Sequence, residues 1–217
     1  MTDSATITVI SANEASWEDL RTVFGERGVP YDCQCQWFKL MRPEWRATSP
    51  EERAARFREQ THCGEPDAQS TGLVAYLDGE PVGWCAVEPR TEYPRLRNLK
   101  VPWTGRDEDR DDPGVWAVTC FVVRTGFRRR GVSRALTAAA VEHARERAAR
   151  AIEGYALVTE PGKDVAWGEL FVGAKSVYED CGFREVSSPT LRRRVMRIDF
   201  EPRPLRKPGR GRKATES

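Results

Sequence analysis

The stretch that decides the fold is VWAVTCFVVRTGFRRRGVSRAL, Val115–Leu136. Its first nine residues are almost wholly apolar and rich in β-branched and aromatic side chains, and a strand that is apolar on both faces belongs in the middle of a sheet. Strict alternation puts Val115, Ala117, Phe121 and Val123 on one face and Trp116, Val118, Cys120 and Val122 on the other. From Val132 the period changes, with Val132, Ala135, Leu136 and Ala139 at helical spacing. Between strand and helix lies an Arg- and Gly-rich turn. A helix N-terminus offers unpaired N–H groups and a positive dipole end, so a turn feeding directly into a helix is an anion site. Arg128, Arg129 and Arg130 add cationic side chains there, Gly131 lets a bulky ligand approach the backbone, and Ser133 is small. A pyrophosphate fits this arrangement. The turn lacks the G-K-[ST] of a nucleoside-triphosphate loop and the three spaced glycines of a dinucleotide fold. An ordinary Arg-rich surface turn is the simpler alternative.

Outward from this unit, the elements alternate. Upstream, Ala5 to Ser11 reads as a strand and Glu14 to Phe24 as a helix stopped by Gly25 and Gly28. The segment VPYDCQCQWFKLM shows no helical period, and alternation of Cys33, Cys35 and Trp37 on one face of an extended segment accounts for it most simply. Ser49-Pro50-Glu51-Glu52 opens the next helix as a capping box with proline in its first turn. Two apolar runs around Asp78-Gly79 give a hairpin. Thr91 to Pro113 is charged and proline-containing, and reads either as a loop over a site or as a plain surface insertion. Downstream come a helix over Val132 to Arg150, a strand over Ala151 to Val158, a second helix over Glu169 to Cys181 ended by Gly182, and closing strands over Phe183 to Val186 and Leu191 to Phe200. The order predicts an α/β protein with helices on a sheet.

The residues of the central unit resemble a family. V-R-x-x-x-R-R-R-G-V-S-R-A-L after a strand looks like the acetyl-CoA signature Q/R-x-x-G-x-G/A of the GNAT superfamily of N-acetyltransferases, with Arg128, Gly131 and Ser133 at the three motif positions. Ser133 replaces the usual Gly or Ala. Ala174 to Phe183, AKSVYEDCGF, resembles the A-x-x-L-Y-x-x-x-G-F helix end of the same family. The resemblance implies a mixed central sheet flanked by helices, with a central strand pair splayed at a bulge. It implies one acetyltransferase domain over residues 1–200, with residues 201–217 as an appendage.

The resemblance also implies roles. The backbone of Phe121, Val122 and Val123 would pair with the pantetheine arm of acetyl-CoA, the co-substrate, and Arg128, Arg129, Arg130, Gly131, Val132, Ser133 and Arg134 would hold its pyrophosphate. Phe171 stands where many members have an asparagine. Tyr178 occupies the position of the family's general acid, against the simpler reading of a packing aromatic. For the base, Glu88 and Glu169 are candidates, though a solvated surface carboxylate is the simpler reading of each. Cys120 invites an acyl-cysteine route, but a buried thiol is the ordinary case. The acceptor pocket in this fold is built largely by the first helices and the loop between them, so Tyr31 to Trp45, with Cys35, Trp37 and Phe38, is expected to line it. The implied reaction is acetyl transfer to a primary amine, of a small molecule or a protein, by direct attack in a ternary complex. A non-catalytic acyl-CoA sensor is the alternative, and a homodimer is left open.

Composition narrows the remaining classes. The 217 residues carry 35 Lys or Arg against 33 Asp or Glu, 39% hydrophobic and 31% charged, a soluble globular profile. No apolar run approaches the roughly 20 residues of a membrane span, and no secretory signal is evident, so the expectation is a cytoplasmic protein without a membrane partner. The net charge of +2 is uneven: Pro202 to Ser217 holds six basic residues against Glu216, net +5, leaving −3 for the rest. With no aromatic residues interleaved among its basic ones, a solvated extension is the simpler reading of this tail, and nucleic-acid contact ranks third because the rest of the chain is acidic and shows no helix-turn-helix or RNA-motif signature. Six scattered cysteines are expected to be reduced thiols. The spacing of Cys33, Cys35, His62 and Cys63 does not match a zinc knuckle, so no metal is expected.

Overall fold

A computed structural model describes residues 5–160, 165 and 167–201. A seven-stranded sheet runs through it in the order β1-β2-β3-β4-β5-β7-β6, with β1 at Ile7–Ser11, β2 at Gly72–Leu77, β3 at Glu80–Pro89, β4 at Val115–Val123, β5 at Ala151–Gly154, β6 at Arg184–Thr190 and β7 at Arg193–Asp199. The pairs are antiparallel except β4 with β5, so the sheet is mixed. Helices α1 (Trp17–Phe24), α2 (Val29–Cys33), α3 (Arg42–Ala47) and α4 (Pro50–Thr61) precede β2; α5 (Val132–Glu146), α6 (Trp167–Leu170) and α7 (Lys175–Asp180) follow β4.

The local reasons are those of the sequence. Ser16 and Ser49 cap α1 and α4, each in a reciprocal box with the acid three residues on. Asp78 and Gly79 both take positive φ, 52° and 85°, as a tight hairpin of primed type requires. One face of the sheet packs on α5 through Leu136, Ala140 and Ala144. The opposite face is closed by α1 and α4, where Trp84 is wedged between Phe24 and Phe57, its ring perpendicular to Phe57 at 5.0 Å. Edge-to-face aromatic contacts of this kind add roughly 0.5–1.5 kcal/mol to the burial of the rings.

Several expectations are corrected. Cys33, Cys35 and Trp37 do not share an extended face: Cys33 ends α2, and Gln34 and Cys35 are both left-handed, φ 46° and 56°. A short helix α3, opened by Pro43, goes unread in the sequence. β5 is four residues rather than eight. The expected helix over Glu169 to Cys181 is broken into α6 and α7, because Gly173 turns left-handed at φ 86°. The excursion Thr91 to Pro113 is pinned rather than loose. The fully buried Glu153 of β5 accepts from Arg90, Arg106, Arg197 and the Tyr155 hydroxyl, and Trp103 Nε1 donates to the Leu96 carbonyl. Buried charge survives there because every oxygen of Glu153 is paired.

Alternation along β4 fails at one point. Ala86 of β3 faces Cys120 and Val87 faces Val118, so Thr119 is an extra residue in β4. A one-residue bulge shifts every later side chain to the other face. Trp116 and Val118 therefore join Phe121 and Val123 on the α5 face, while Cys120 and Val122 turn to the opposite one.

Candidate active site

The bulge lies where two strands part. β4 and β5 pair from Val115 with Ala151 to Val118 with Gly154, and no further. Beyond Gly154 the chain leaves β4, and Leu157 bridges to Ala174 and Arg193. The Arg124 amide donates to Val82 of β3 and the Phe121 amide to the Phe171 carbonyl at 2.6 Å. Alternation along the strand then sends the peptide groups of Val122 toward β3, and those of Phe121 and Val123 toward the parted edge. Pairing with an extended ligand on that edge thus falls to Phe121 and Val123, and Val122 contributes its side chain to the opposite face. The bond from Phe121 to Phe171 has to be exchanged for such pairing to form.

At the end of the parted edge stands the Arg-rich turn. Gly131 caps α5 with φ 84° and no side chain caps the helix, so the first-turn amides of Val132, Ser133 and Arg134 have no side-chain partner. Arg128 Nε donates to the Val123 carbonyl at 3.3 Å, which ties the turn to the strand edge. Arg129 and Arg130 are exposed, Arg130 lying 5.6 Å from the Phe127 ring, and Arg134 faces Asp180 at 3.8 Å. A Cβ built on Gly131 would meet only Ile7 Cδ1, at 3.8 Å. Uncapped donors, exposed guanidinium groups and open space above a glycine fit a diphosphate.

Tyr178 sits at the point of parting. It is fully buried, its ring near Phe121 and Phe183 at 6.2 and 5.1 Å, and its hydroxyl donates to the Val172 carbonyl at 2.9 Å. Burial pushes the phenol well above its usual pKa.

On the other face of β4, a cavity of about 460 Å³ is lined by Cys35, Trp37, Trp45, Cys120, Val122 and Phe171, with Arg193 in its wall. Phe38 lines a second cavity of about 170 Å³, which shares Trp37, Phe171 and Arg193 with the first. The three residues expected to form the acceptor pocket are therefore brought to two adjoining hollows. A larger hollow between α1 and α4 is bordered by Glu18, Arg21 and Glu26 and does not reach β4.

The remaining candidates separate clearly. Glu88 is buried, 5% exposed, and both its oxygens lie on Lys39 Nζ, at 2.9 and 2.7 Å. Burial raises its pKa against the opposing pull of Lys39. Glu169 is an exposed carboxylate held by Arg192 at 2.8 Å, which lowers its pKa. Cys120 is buried beside Cys35, and the Cys35 hydrogen bond and burial raise its thiol far above the ordinary value, the opposite of an activated nucleophile. Cys33 is pushed up to about 12, chiefly by burial. All six cysteines are free thiols. His62 faces Glu65 and Cys63 faces the Thr61 hydroxyl; among the described residues no group of three or more His, Cys, Asp or Glu is arranged to hold a metal.

Residues 35–183 match the model of the acetyltransferase (GNAT) family. The chain belongs to that family. It is an acetyl-CoA-dependent N-acetyltransferase by family, with acetyl-CoA as the co-substrate. No curated protein sequence matches it. Among solved structures, it is similar to an N-acetyltransferase from Staphylococcus aureus Mu50, at 10% identity and TM-score 0.51, over 89% of this chain and 98% of that one. It is also similar to a structure described as an acetyltransferase, at 19% identity and TM-score 0.52, over 89% of this chain and 100% of the other. These likenesses show the GNAT fold, a mixed sheet with helices on both faces. No helix among the described residues is long and apolar enough to cross a membrane.

Trp45, the end of the loop expected to line the acceptor pocket, does border the larger cavity, whereas Arg95 and Arg193 beside it were missed in the sequence. Arg95 is 4% exposed, and its guanidinium carbon lies 4.0 Å from the Trp37 ring centroid. Its only signal in the sequence was one more arginine in a charged excursion.

Proposed function

We propose that this chain moves the acetyl group of acetyl-CoA to the primary amine of a small molecule, by direct attack in a ternary complex, within a transferase domain spanning residues 1–200. The observation that carries the reading is the parting of β4 and β5 after Gly154. In this reading the parted edge of Phe121 and Val123 takes the donor, with the turn at Gly131 beyond its end, and the cavity behind Cys120 and Val122 takes the acceptor. A cavity of about 460 Å³ with two indoles in its wall suits a small amine better than a protein surface. The residues of the proposed basic tail, 202–217, lie outside the described residues.

Gly131, the uncapped first turn of α5 and the Arg128–Arg130 cluster hold the diphosphate in this reading. Gly131→Val should raise the Michaelis constant for acetyl-CoA about tenfold, because a β-branched residue at φ 84° is strained by roughly 1–2 kcal/mol and its methyls enter the anion site. The acceptor constant should not move. Steady-state kinetics with each substrate varied checks this, and an unchanged acetyl-CoA constant would remove the turn from the donor site.

Tyr178 supplies the proton to the departing thiolate, and Glu88 accepts the amine proton through water. Supporting Glu88 are its place on the acceptor face of β3 and its burial beside Lys39, which comes from the loop that also carries Trp37 and Phe38. A base works only when ionised, so activity is lost as pH falls through its pKa. Because burial raises that pKa, the acid limb of kcat/KM should lie above the ordinary carboxylate range. Glu88→Gln should lower kcat/KM about tenfold and abolish that limb, measured with an acceptor of low amine pKa. An acid limb that persists in the variant would exclude Glu88.

A further inference from the structure

Arg95 presents a chemical anomaly. All three of its guanidinium nitrogens are buried and without a hydrogen-bond partner. The charged group that acts on it most is another cation, Arg42, and burial and Arg42 together depress its pKa. No carboxylate among the described residues is within ion-pair distance, although other buried arginines of this chain have partners: Arg53 has backbone carbonyls, and Arg90 and Arg197 have Glu153. A guanidinium left buried with five unpaired N–H groups costs several kcal/mol unless something pairs with it. One face of it is stacked at 4.0 Å on Trp37, and Trp45 lies at 5.9 Å. Trp37 is 37% exposed and forms part of both cavity walls.

Arg193 stands in the walls of both cavities as well. Its side chain makes no hydrogen bond or ion pair with a described residue, since the nearby Glu169 is held by Arg192. Apart from Arg193 and the exposed Asp32, the lining of the larger cavity is apolar, aromatic or thiol. Arg95 is thus stacked on an indole of the cavity wall and Arg193 stands in the same wall, and the one carboxylate among the lining residues is that of the exposed Asp32.

We propose that the acceptor is an amine that also carries a carboxylate, an amino acid or a close relative with an apolar body, and that Arg95 and Arg193 bind that carboxylate. A swing of the Trp37 indole uncovers Arg95, and the planar fork of a guanidinium matches a carboxylate with two parallel hydrogen bonds. The two indoles hold the apolar body and the amine points to the parted edge of β4. The inference rests on the acetyl-transfer reading above and names its substrate class.

The test uses the full chain with acetyl-CoA and three matched acceptors, tryptophan, tryptamine and a phosphorylated amine, together with binding of indole-3-propionate, which has the carboxylate but no amine. Tryptophan should exceed tryptamine in kcat/KM by at least about 100-fold, since a site built to pair a polar group rejects the analogue that lacks it. Arg95→Met, which removes an unpaired buried charge and so should fold, should bring that ratio to within about threefold. Arg95→Lys should recover only part of it. Indole-3-propionate should bind the wild type, seen by calorimetry, and bind Arg95→Met at least tenfold more weakly. Equal turnover of tryptophan and tryptamine, preference for the phosphorylated amine, or an acid that binds both proteins alike would overturn the proposal. Arg95-dependent binding of the acid with no acetylation of any amine would instead overturn the transferase reading and leave the carboxylate site standing.

Discussion

Tyr178→Phe should lower kcat by about 10²–10³ while leaving the Michaelis constant for acetyl-CoA within a factor of two. The phenol is desolvated and its pKa is raised, so it keeps its proton across the working range and acts as a donor, never as a base. General acids of this kind contribute roughly 10²–10⁴ in rate. Phenylalanine preserves the ring contacts with Phe121 and Phe183 and removes the hydroxyl alone. The structural cost is the bond to the Val172 carbonyl, about 1–3 kcal/mol for a buried acceptor left unpaired. Steady-state kinetics beside a denaturant titration separates the two effects. A variant that loses about 1 kcal/mol of stability and keeps its turnover would make Tyr178 a packing residue, and the proton would have to come from elsewhere. A chain that only senses acyl-CoA has no turnover to lose, so the same variant decides against that reading when kcat falls.

Gly154→Ala should cost at least about 3 kcal/mol of stability. A Cβ at this position would stand 2.4 Å from Cε1 and Cζ of Tyr178 and 2.5 Å from its hydroxyl oxygen, closer than atoms in a folded core approach. Tyr178 has nowhere to go. A Cβ at Gly173 would already stand 2.9 Å from both Tyr178 and Phe121, and Phe183 closes the other side. Overpacking of a well-filled core costs roughly 1–3 kcal/mol, more where neighbours are locked, and here it falls at the last pair before β4 and β5 part. The midpoint of chemical denaturation measures it. Combining Gly154→Ala with Tyr178→Ala should recover part of the loss, since contacting residues couple. An unchanged midpoint for Gly154→Ala would mean that the tyrosine is not the wedge.

Much of the donor half was readable because it depends on local chemistry. A strand apolar on both faces, an Arg- and Gly-rich turn and an Ala-rich helix occur in sequence order, and each follows from periodicity or from the freedom of glycine at positive φ. The hairpin at Asp78-Gly79 and the capping boxes at Ser16 and Ser49 are equally local; the one at Ser49 was read and the one at Ser16 was not. The acceptor half was read less well. Cys35, Trp37 and Phe38 were expected from the resemblance, but left-handed residues at Gln34 and Cys35 break their alternation. Arg95 comes to Trp37 from an excursion more than fifty residues away, which no local pattern signals.

What the sequence determined by itself was the central strand, its Arg- and Gly-rich turn, the helix after it and the family, because backbone propensity, capping and glycine freedom act over a few residues. What only the tertiary structure decided was the facing of the site. The bulge at Thr119 arises where β4 is laid against β3, and it turns Cys120 and Val122 to the cavity lined by Trp37 and Trp45 and Phe121 to Tyr178. The burial of Glu88, the wedge of Tyr178 against Gly154 and the unpaired charge of Arg95 are likewise products of packing between distant segments. Side-chain period fixes which residues alternate, but a one-residue slip in pairing decides which of them meet the substrate.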